Sequence, residues 1–231
     1  MCHSGRGAGL QVSRVRRMLR NSSARSICRA SLFRLVVASS TNASETVSDD
    51  GEVLRVGDLA RWSLIPPWAT EPKQKFPTFN ARSEGLAAKT TWRGPIKRSR
   101  AILPASGYYE WKTDGKVKTP HYIHLPEGEL LFLAGLYSWW RPKGSDDEWM
   151  LTATIITRPS CGPAGELHDR APVVLPADFV NEWLDPLTEG DQGLVDAAVS
   201  ASTPQIEALQ FHEVGKISGD IPELTEPVAD S

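Results

Sequence analysis

No segment of this chain approaches the roughly 20 consecutive apolar residues that cross a bilayer as a helix, which excludes a helical membrane span. Cysteine is scarce. Cys2, Cys28 and Cys161 lie far apart, with no Cys-x-x-Cys pair. That excludes a disulfide framework and a zinc knuckle, and makes reduced thiols in the cytoplasm the default. There is no Gly-rich phosphate loop and no internal repeat. The formal net charge is only −2, too little for broad coating of duplex DNA, yet compatible with a local basic groove. Asp, Glu and Lys are all missing from residues 1–44, where Arg14, Arg16, Arg17, Arg20, Arg25, Arg29 and Arg34 alternate with serine and small residues. Such a composition fits an organelle transit peptide, a basic arm that meets nucleic acid, or a segment with little fixed structure.

What is present is the composition of a folded globular chain. At 231 residues, 40% hydrophobic and 23% charged, it has enough sequence for one large domain or two small ones with a substantial core. Leu32–Ala38 is the one strand expected in the arginine-rich region, and 41–51 reads as a linker. Short strands are expected at Val53–Val56 and Leu59–Ile65, the second ended by Pro66-Pro67-Trp68. Phe76–Ser83 reads as extended, with Ser83 capping a helix over Glu84–Lys89. Arg93, Lys97, Arg98 and Arg100 form a basic cluster, read most simply as a solvated helical face. Further strands follow at His121–Leu125, Leu130–Trp139, Trp149–Thr157 and Ala171–Leu175, and helices at Asp178–Leu184 and Asp191–Val199. The tail from Ser218 is Pro-rich, acidic and irregular. Strands dominate, in an order that implies hairpins and not βαβ units.

The chain is organised around Arg100–Trp111, which reads as a strand, a turn at Pro104–Gly107 and a second strand. Alternation puts Tyr108 and Glu110 on one face, Tyr109 and Trp111 on the other. A carboxylate set among three aromatics is costly to leave unpaired. Partial burial would raise its pKa and suit it to move protons near neutral pH. The simpler reading is a solvated glutamate on a half-exposed strand. Cys2 follows Met1, so removal of the methionine leaves an amine and a thiol on one residue. A 1,2-aminothiol condenses with an aldehyde to a Schiff base that the thiolate closes to a thiazolidine. Asn80 and Arg82 sit in an extended segment, one offering a donor and an acceptor, the other a planar fork for phosphate. His168 and Arg170 flank Asp169 ahead of an apolar strand, and a histidine exchanges protons at physiological pH. Each of these residues alone also fits a surface loop.

Five motifs occur in order: Trp62-Ser63-Leu64-Ile65-Pro66-Pro67-Trp68, Asn80-Ala81-Arg82-Ser83-Glu84, Leu103-Pro104-Ala105-Ser106-Gly107-Tyr108-Tyr109-Glu110-Trp111, Ala134-Gly135-Leu136 and His168-Asp169-Arg170-Ala171-Pro172. With Cys2 at the start, the chain resembles the SRAP family, the SOS-response-associated peptidases understood as abasic-site processing proteins. The resemblance implies an α+β fold, a single domain spanning 1–231 with a curved, barrel-like, mainly antiparallel sheet and peripheral helices. Its best-matched core is 53–186, with 7–50 atypical and poorly ordered and 218–231 irregular. It implies covalent shielding of abasic sites in single-stranded DNA through a thiazolidine. Carried over by position, Cys2 resembles the nucleophile, Glu110 the acid/base for ring opening and Schiff-base formation, Asn80 the residue that holds the linkage, and His168 a second proton donor. Arg82 and Arg170 resemble phosphate contacts, and Trp68 joins them as a DNA-binding residue. No cofactor, metal or membrane is implied, and the expected protein is a cytoplasmic monomer, nucleoid-associated during DNA repair.

The chain departs from the family pattern in three places. Met1-Cys2-His3-Ser4-Gly5-Arg6 stands where Met-Cys-Gly-Arg is usual, no Asn-x-Ala-Pro segment occurs between Leu10 and Gly51, and Ala171 replaces the usual Met. Two other classes stay open: a cysteine peptidase using Cys2 or Cys161 with His168 and an Asn, and a non-catalytic single-strand binder with Trp62, Trp68 and Trp111 as platforms. A transit peptide is the least favoured reading of the N-terminal region, because its cleavage would discard Cys2. Met1–Gly5 is expected to dock at Glu110 or Asn80, and Arg14–Ser48 to pack loosely because its arginines and poor periodicity leave little to offset ordering entropy.

Overall fold

The computed structural model describes residues 32–38, 55–217 and 222–228 of the chain. Among them, strands are β1 (Leu32–Ala38), β2 (Arg55–Trp62), β3 (Asn80–Arg82), β4 (Arg100–Ala105), β5 (Tyr108–Asp114), β6 (Val117–His124), β7 (Leu131–Trp140), β8 (Met150–Pro159), β9 (Arg170–Pro172), β10 (Val174–Leu175) and β11 (Gln210–Glu213). Neighbour pairing runs β4 to β1 to β2 to β8 to β7 and back to β4, so these strands close on themselves as a barrel. Closure pairs both edges of these five strands and leaves β3, β9 and β10 at the margins. The ladders are antiparallel except where β2 and β3 run parallel to β8. A smaller sheet, β11-β6-β5, leaves the barrel at the end of β4. With short helices around the barrel, the fold is α+β, as the family resemblance implied.

Alternation along the strands builds two apolar clusters. Ala101, Leu103, Leu133, Tyr137, Ala153 and Ile155 belong to the first, which also takes Tyr108 and Ile123 of the small sheet. Ile102, Ala134, Leu136 and Ile156 belong to the second and meet the helices through Ile96, Trp183 and Val195. Trp183 is fully buried and its indole Nε1 donates to Ala101 O at 2.9 Å. The helix expected over Asp191–Val199 runs Gln192–Ala201 and starts where Asp191 Oδ1 accepts from Leu194 N at 3.0 Å, which makes Asp191 its N-cap.

Several expected elements take a different form. One strand, β2, stands where two were expected, because β1 pairs with it from Leu32↔Arg61 to Ala38↔Arg55 and carries it straight through Gly57 and Asp58. It stops at Trp62, where Ser63 adopts φ 128°. The helix expected over Glu84–Lys89 is a single 3₁₀ turn, Leu86–Ala88. Gly85 enters it at φ 61°, and Ser83 gives its backbone carbonyl and not its side chain to Leu86 N. Ala171–Leu175 divides at Val173, because the chain changes partner there: Pro172 pairs with Thr157 of β8, Val174 with Leu133 of β7. The region expected to pack loosely contributes β1 to the barrel, and the rest of Arg14–Ser48 lies outside the described residues. Part of the tail is ordered against the small sheet. Tyr109 Oη donates to Leu224 O at 3.0 Å, His212 Nε2 lies 2.8 Å from Thr225 O, and Val214 bridges Pro227.

Arg100 corrects the reading of the basic cluster as a solvated face. It is 4% exposed, and its guanidinium donates to the carbonyl oxygens of Trp183, Ile96, Lys97, Asp185 and Thr188. Those acceptors match the five N–H donors of the side chain. Burial lowers its pKa, opposed by the charge of Asp185 and by Tyr137. Lys97 and Arg98 stay at the surface and reach Glu189.

Candidate active site

Pro104, Gly107 and the β5–β6 hairpin set the position of Glu110. Pro104 tolerates its place in β4 because β1 pairs only with Ala101 and Ile102, which leaves that edge without a demand for its missing N–H. At Gly107 a Cβ would lie 2.4 Å from Ile123 O and from the Tyr122 ring, so only glycine passes this closely as the chain turns out of the barrel. β5 then pairs with β6 from Tyr108↔Ile123 to Asp114↔Val117, closed by a two-residue loop whose Gly115 has φ 58°. The expected alternation holds. Tyr108 enters the first cluster, while Tyr109 joins Tyr122, Val214 and Leu224 on the opposite side.

Glu110 therefore shares the face of Tyr108 at the rim of the core and is half-buried. Burial pushes its carboxyl above the ordinary carboxylate range; His168 opposes the rise and Asp169 adds to it. The same environment raises the Tyr108 phenol, through burial first and Glu110 second. The structure thus brings Glu110 and His168 into one electrostatic neighbourhood although they are far apart in sequence.

His168 sits at the end of the loop 160–169, closed by Ser160 N donating to Asp169 O at 2.9 Å. Its Nδ1 lies 2.9 Å from Arg170 N and 3.1 Å from Asp169 Oδ1. One nitrogen cannot serve both at once. The neutral ring accepts from the Arg170 N–H, and the imidazolium donates to Asp169, so each protonation state has a partner in place.

Asn80 and Arg82 both project outward from β3, with Ala81 buried between them. β3 lies along β8 as Asn80↔Ile155 and Arg82↔Thr157, and β9 takes the other edge at Thr157↔Pro172. Across this junction Arg170 makes a two-point ion pair with Glu84, and its Nη2 also donates to Thr157 O at 2.8 Å. The Arg170 side chain is only 15% exposed. Its fork is thus engaged by protein, whereas Arg82 presents its guanidinium at the exposed edge of β3. Glu84 is held down to about 2, first by its hydrogen bond from Arg170. Glu84 stands in the Asn80-Ala81-Arg82-Ser83-Glu84 motif with no role expected of it, and a carboxylate two residues beyond Arg82 is the signal the sequence holds.

The remaining candidates fall elsewhere. Trp62 is half-buried, donates from Nε1 to Phe79 O at 2.7 Å and packs edge-on against the Phe79 ring, a fixed part of the wall. Trp68 and Trp111 are exposed, at 62% and 39%. Trp111 stands on the face of β5 opposite Glu110, and Trp68 lines the same cleft as Trp139 of β7. Cys161 lies 3.8 Å from Arg158 Nη2 and packs against the first cluster. Cys2, and with it the docking expected of Met1–Gly5, lies outside the described residues. Among the described residues no group of His, Cys, Asp and Glu has the arrangement to hold a metal ion, and no helix is long and apolar enough to cross a membrane.

Comparison with known proteins agrees with this architecture. The chain is 38% identical over 184 residues to the abasic site processing protein YoqW of Bacillus subtilis, a match covering 78% of this chain and 80% of YoqW. It is 30% identical over 200 residues to the abasic site processing protein HMCES of Gallus gallus, covering 73% of this chain and 56% of HMCES. A solved structure of a Bacteroides thetaiotaomicron protein superimposes with a TM-score of 0.66 at 22% identity, covering 84% and 81% of the two chains, a likeness of fold. The sequence profile of the SOS response associated peptidase family matches residues 13–220, and the chain belongs to that family.

Proposed function

We propose that this protein captures abasic sites in single-stranded DNA as a covalent thiazolidine on Cys2, in the response to DNA damage. Removal of Met1, the one peptide cleavage the reading requires, frees the Cys2 amine. The α-amine has a pKa near 8, so a useful fraction is neutral at pH 7. The abasic sugar is mostly a closed hemiacetal. Glu110, whose carboxyl burial biases toward its protonated form, gives a proton to the ring oxygen as the C1′–O4′ bond breaks, and its carboxylate takes up the proton of the C1′ hydroxyl as the aldehyde forms. The amine adds to C1′, a proton is returned to the departing hydroxyl, and water leaves as the Schiff base forms. The Cys2 sulfur then adds to the same carbon and closes the five-membered ring. The net change is aldehyde plus aminothiol to thiazolidine plus water.

His168 serves as the second proton donor, with Asp169 ready to hold the imidazolium. Asn80 holds the linkage with its amide, and Arg82 takes a phosphate. Arg170 positions the segment that carries His168 through its pair with Glu84. Trp68 contacts DNA at a distance from the reacting carbon. We place all of this in one domain, acting as a cytoplasmic monomer at the nucleoid. The observation that carries the reading is the half-buried Glu110 carboxyl, raised by burial and acted on by His168. Its test is incubation with single-stranded DNA containing one abasic site, followed by denaturing electrophoresis. A heat-stable adduct is expected from wild type and strongly slowed formation from Glu110→Gln. An adduct forming at the wild-type rate in Glu110→Gln would overturn the role.

A further inference from the structure

The two segments that carry Asn80 and His168 meet at one strand and then part. Arg82 pairs with Thr157 at the end of the β3 ladder, and β8 ends two residues later at Pro159, paired with Arg170. Among the described residues, no ladder joins 83–88, which follows Asn80 and Arg82, to the loop 160–169 that carries His168. Helix Gln192–Ala201 is in contact with both. At its first turn the Gln192 amide is used completely. Its Oε1 accepts from Ala87 N at 3.1 Å, and its Nε2 donates to Ser83 O at 3.0 Å and to Asp196 Oδ1 at 2.8 Å. Only one orientation of the amide fits. A flip would set its NH2 against the Ala87 N–H, and its oxygen against a carbonyl and a carboxylate.

The other end of the helix holds Arg158. Its Nη1 lies 2.6 Å from Val199 O, 2.7 Å from Ser202 Oγ and 2.9 Å from Thr203 Oγ1. Val199 O is among the last carbonyls of the helix, which lack partners in regular helix geometry and carry the negative end of its dipole. A guanidinium supplies both the donor and the charge such an end favours. The same side chain donates from Nε to Pro159 O at 3.3 Å and reaches Cys161 Sγ at 3.8 Å, at the root of the loop that carries His168. A helix of ten residues is about 15 Å long. One end is thereby fixed to the segment beyond Arg82, the other to the loop before His168.

We propose that this helix is a brace that sets Asn80 against His168, with Gln192 and Arg158 as positioning residues at its two ends. The proposal rests on the reading that Asn80 and His168 serve one reaction, and it adds to the Glu84–Arg170 pair a second tie between their segments. Releasing either end of the helix lets one segment shift while the barrel stays closed. The site then keeps its side chains and loses their placement.

The test uses the full chain and compares wild type with Gln192→Met, Arg158→Met, their double variant and Arg158→Lys. Adduct formation on single-stranded DNA with one abasic site is followed over a range of protein concentrations, which separates the saturating rate from the half-saturating concentration. Misplacement by about 1 Å can slow a reaction about 10²-fold, so each Met variant is expected to lose roughly 10- to 100-fold in the saturating rate. The half-saturating concentration should change less. The double variant should lose little more than the worse single one, because both release the same brace. Arg158→Lys restores three donors and is expected to recover most of the rate. A second readout needs no DNA. Gln192→Met should speed amide deuterium exchange in 160–169, at the opposite end of the brace, and Arg158→Met should speed it in 83–88. Unfolding midpoints show whether each variant folds. Should the Met variants not fold, Arg158→Lys and Gln192→Glu decide, the second losing only the donors to Ser83 O and Asp196. A loss of stability alone, with wild-type saturating rate and wild-type exchange at the far end, overturns the brace. So does a fall in affinity as large as the fall in rate. A wild type that forms no adduct sinks the covalent reading, and exchange then decides the brace by itself.

Discussion

Arg170 closes a two-point ion pair on Glu84 across 86 residues of chain and ties the Asn80–Glu84 segment to the segment that carries His168. Two of the site's side chains are therefore held relative to each other by a pair that belongs to neither. Glu84 titrates near 2 in the fold against an ordinary 4.5. A depressed carboxylate contributes stability that is present above its unfolded pKa and lost as pH falls through the folded one. The stability gap between wild type and Glu84→Gln should thus be full above pH 4.5 and disappear toward pH 2. Because Glu84 is half exposed, that gap is about 1 kcal/mol or less. Arg170→Ala should cost more, about 2 kcal/mol, because it also strips the Thr157 carbonyl of its charged donor. Urea unfolding over this pH range reads both; a gap that grows on acidification contradicts the pairing.

Arg82 and Arg170 should separate in DNA binding. Arg82→Ala is expected to lower the salt slope on intact single strands by about 0.7. Arg170→Ala should leave the slope nearly unchanged, since its fork is spent on Glu84, while slowing adduct formation through misplaced His168. Equal slope losses in both variants would return Arg170 to direct phosphate contact.

Glu110→Gln should lose activity and gain stability at the same time. Loss of a general acid costs about 10²- to 10⁴-fold in rate. Burial raises the Glu110 pKa, so its folded form holds a proton more tightly than the unfolded chain does. Such a group contributes stability below its unfolded pKa and loses it as pH rises through the folded value. At pH 7 the variant should therefore be at least as stable as wild type, and the advantage should vanish on acidification below about 4.5. Unfolding at pH 7 and pH 4 checks the sign. A variant that is less stable at pH 7 and also slow would mark Glu110 as structural.

Arg100 should be among the most costly positions to change. Arg100→Met strands five carbonyl oxygens and Arg100→Lys cannot reach them with one ammonium. Each is expected to lose about 3 kcal/mol or more, measured by denaturant unfolding, with no lowered DNA salt slope beyond that of a misfolded fraction. A stability change under 1 kcal/mol would show that the cage is not needed.

Local signals made much of this legible from sequence. Leu32–Ala38 was expected as a strand and forms one, the helix expected over Asp191–Val199 runs Gln192–Ala201, and the alternation in Tyr108–Trp111 correctly divided two buried tyrosines between two faces. Relationships between distant segments were not legible. The closing contact of β8 with β2 is parallel and nonlocal, and nothing in Arg61–Trp62 announces Thr152–Ala153 as its partner. Arg100 looked like its basic neighbours because composition does not reveal that five backbone carbonyls converge on it. The Ala171–Leu175 strand divides because its two halves serve different neighbours, a fact of topology and not of propensity. Glu84 needed Arg170 in space before it could be told from a surface acid.

In the proposed reaction Cys2 supplies both the amine and the thiol of one covalent link to an abasic sugar. The direct measurement is protease digestion of the denatured adduct, followed by mass spectrometry of the peptide that carries the DNA remnant. The expected result is the remnant on a peptide beginning at Cys2, with Met1 gone, in a linkage that needs no borohydride trapping and is absent from Cys2→Ala. Cys28→Ala and Cys161→Ala should give the same peptide as wild type. A remnant on a lysine, or an adduct of unchanged yield and heat stability in Cys2→Ala, would contradict it.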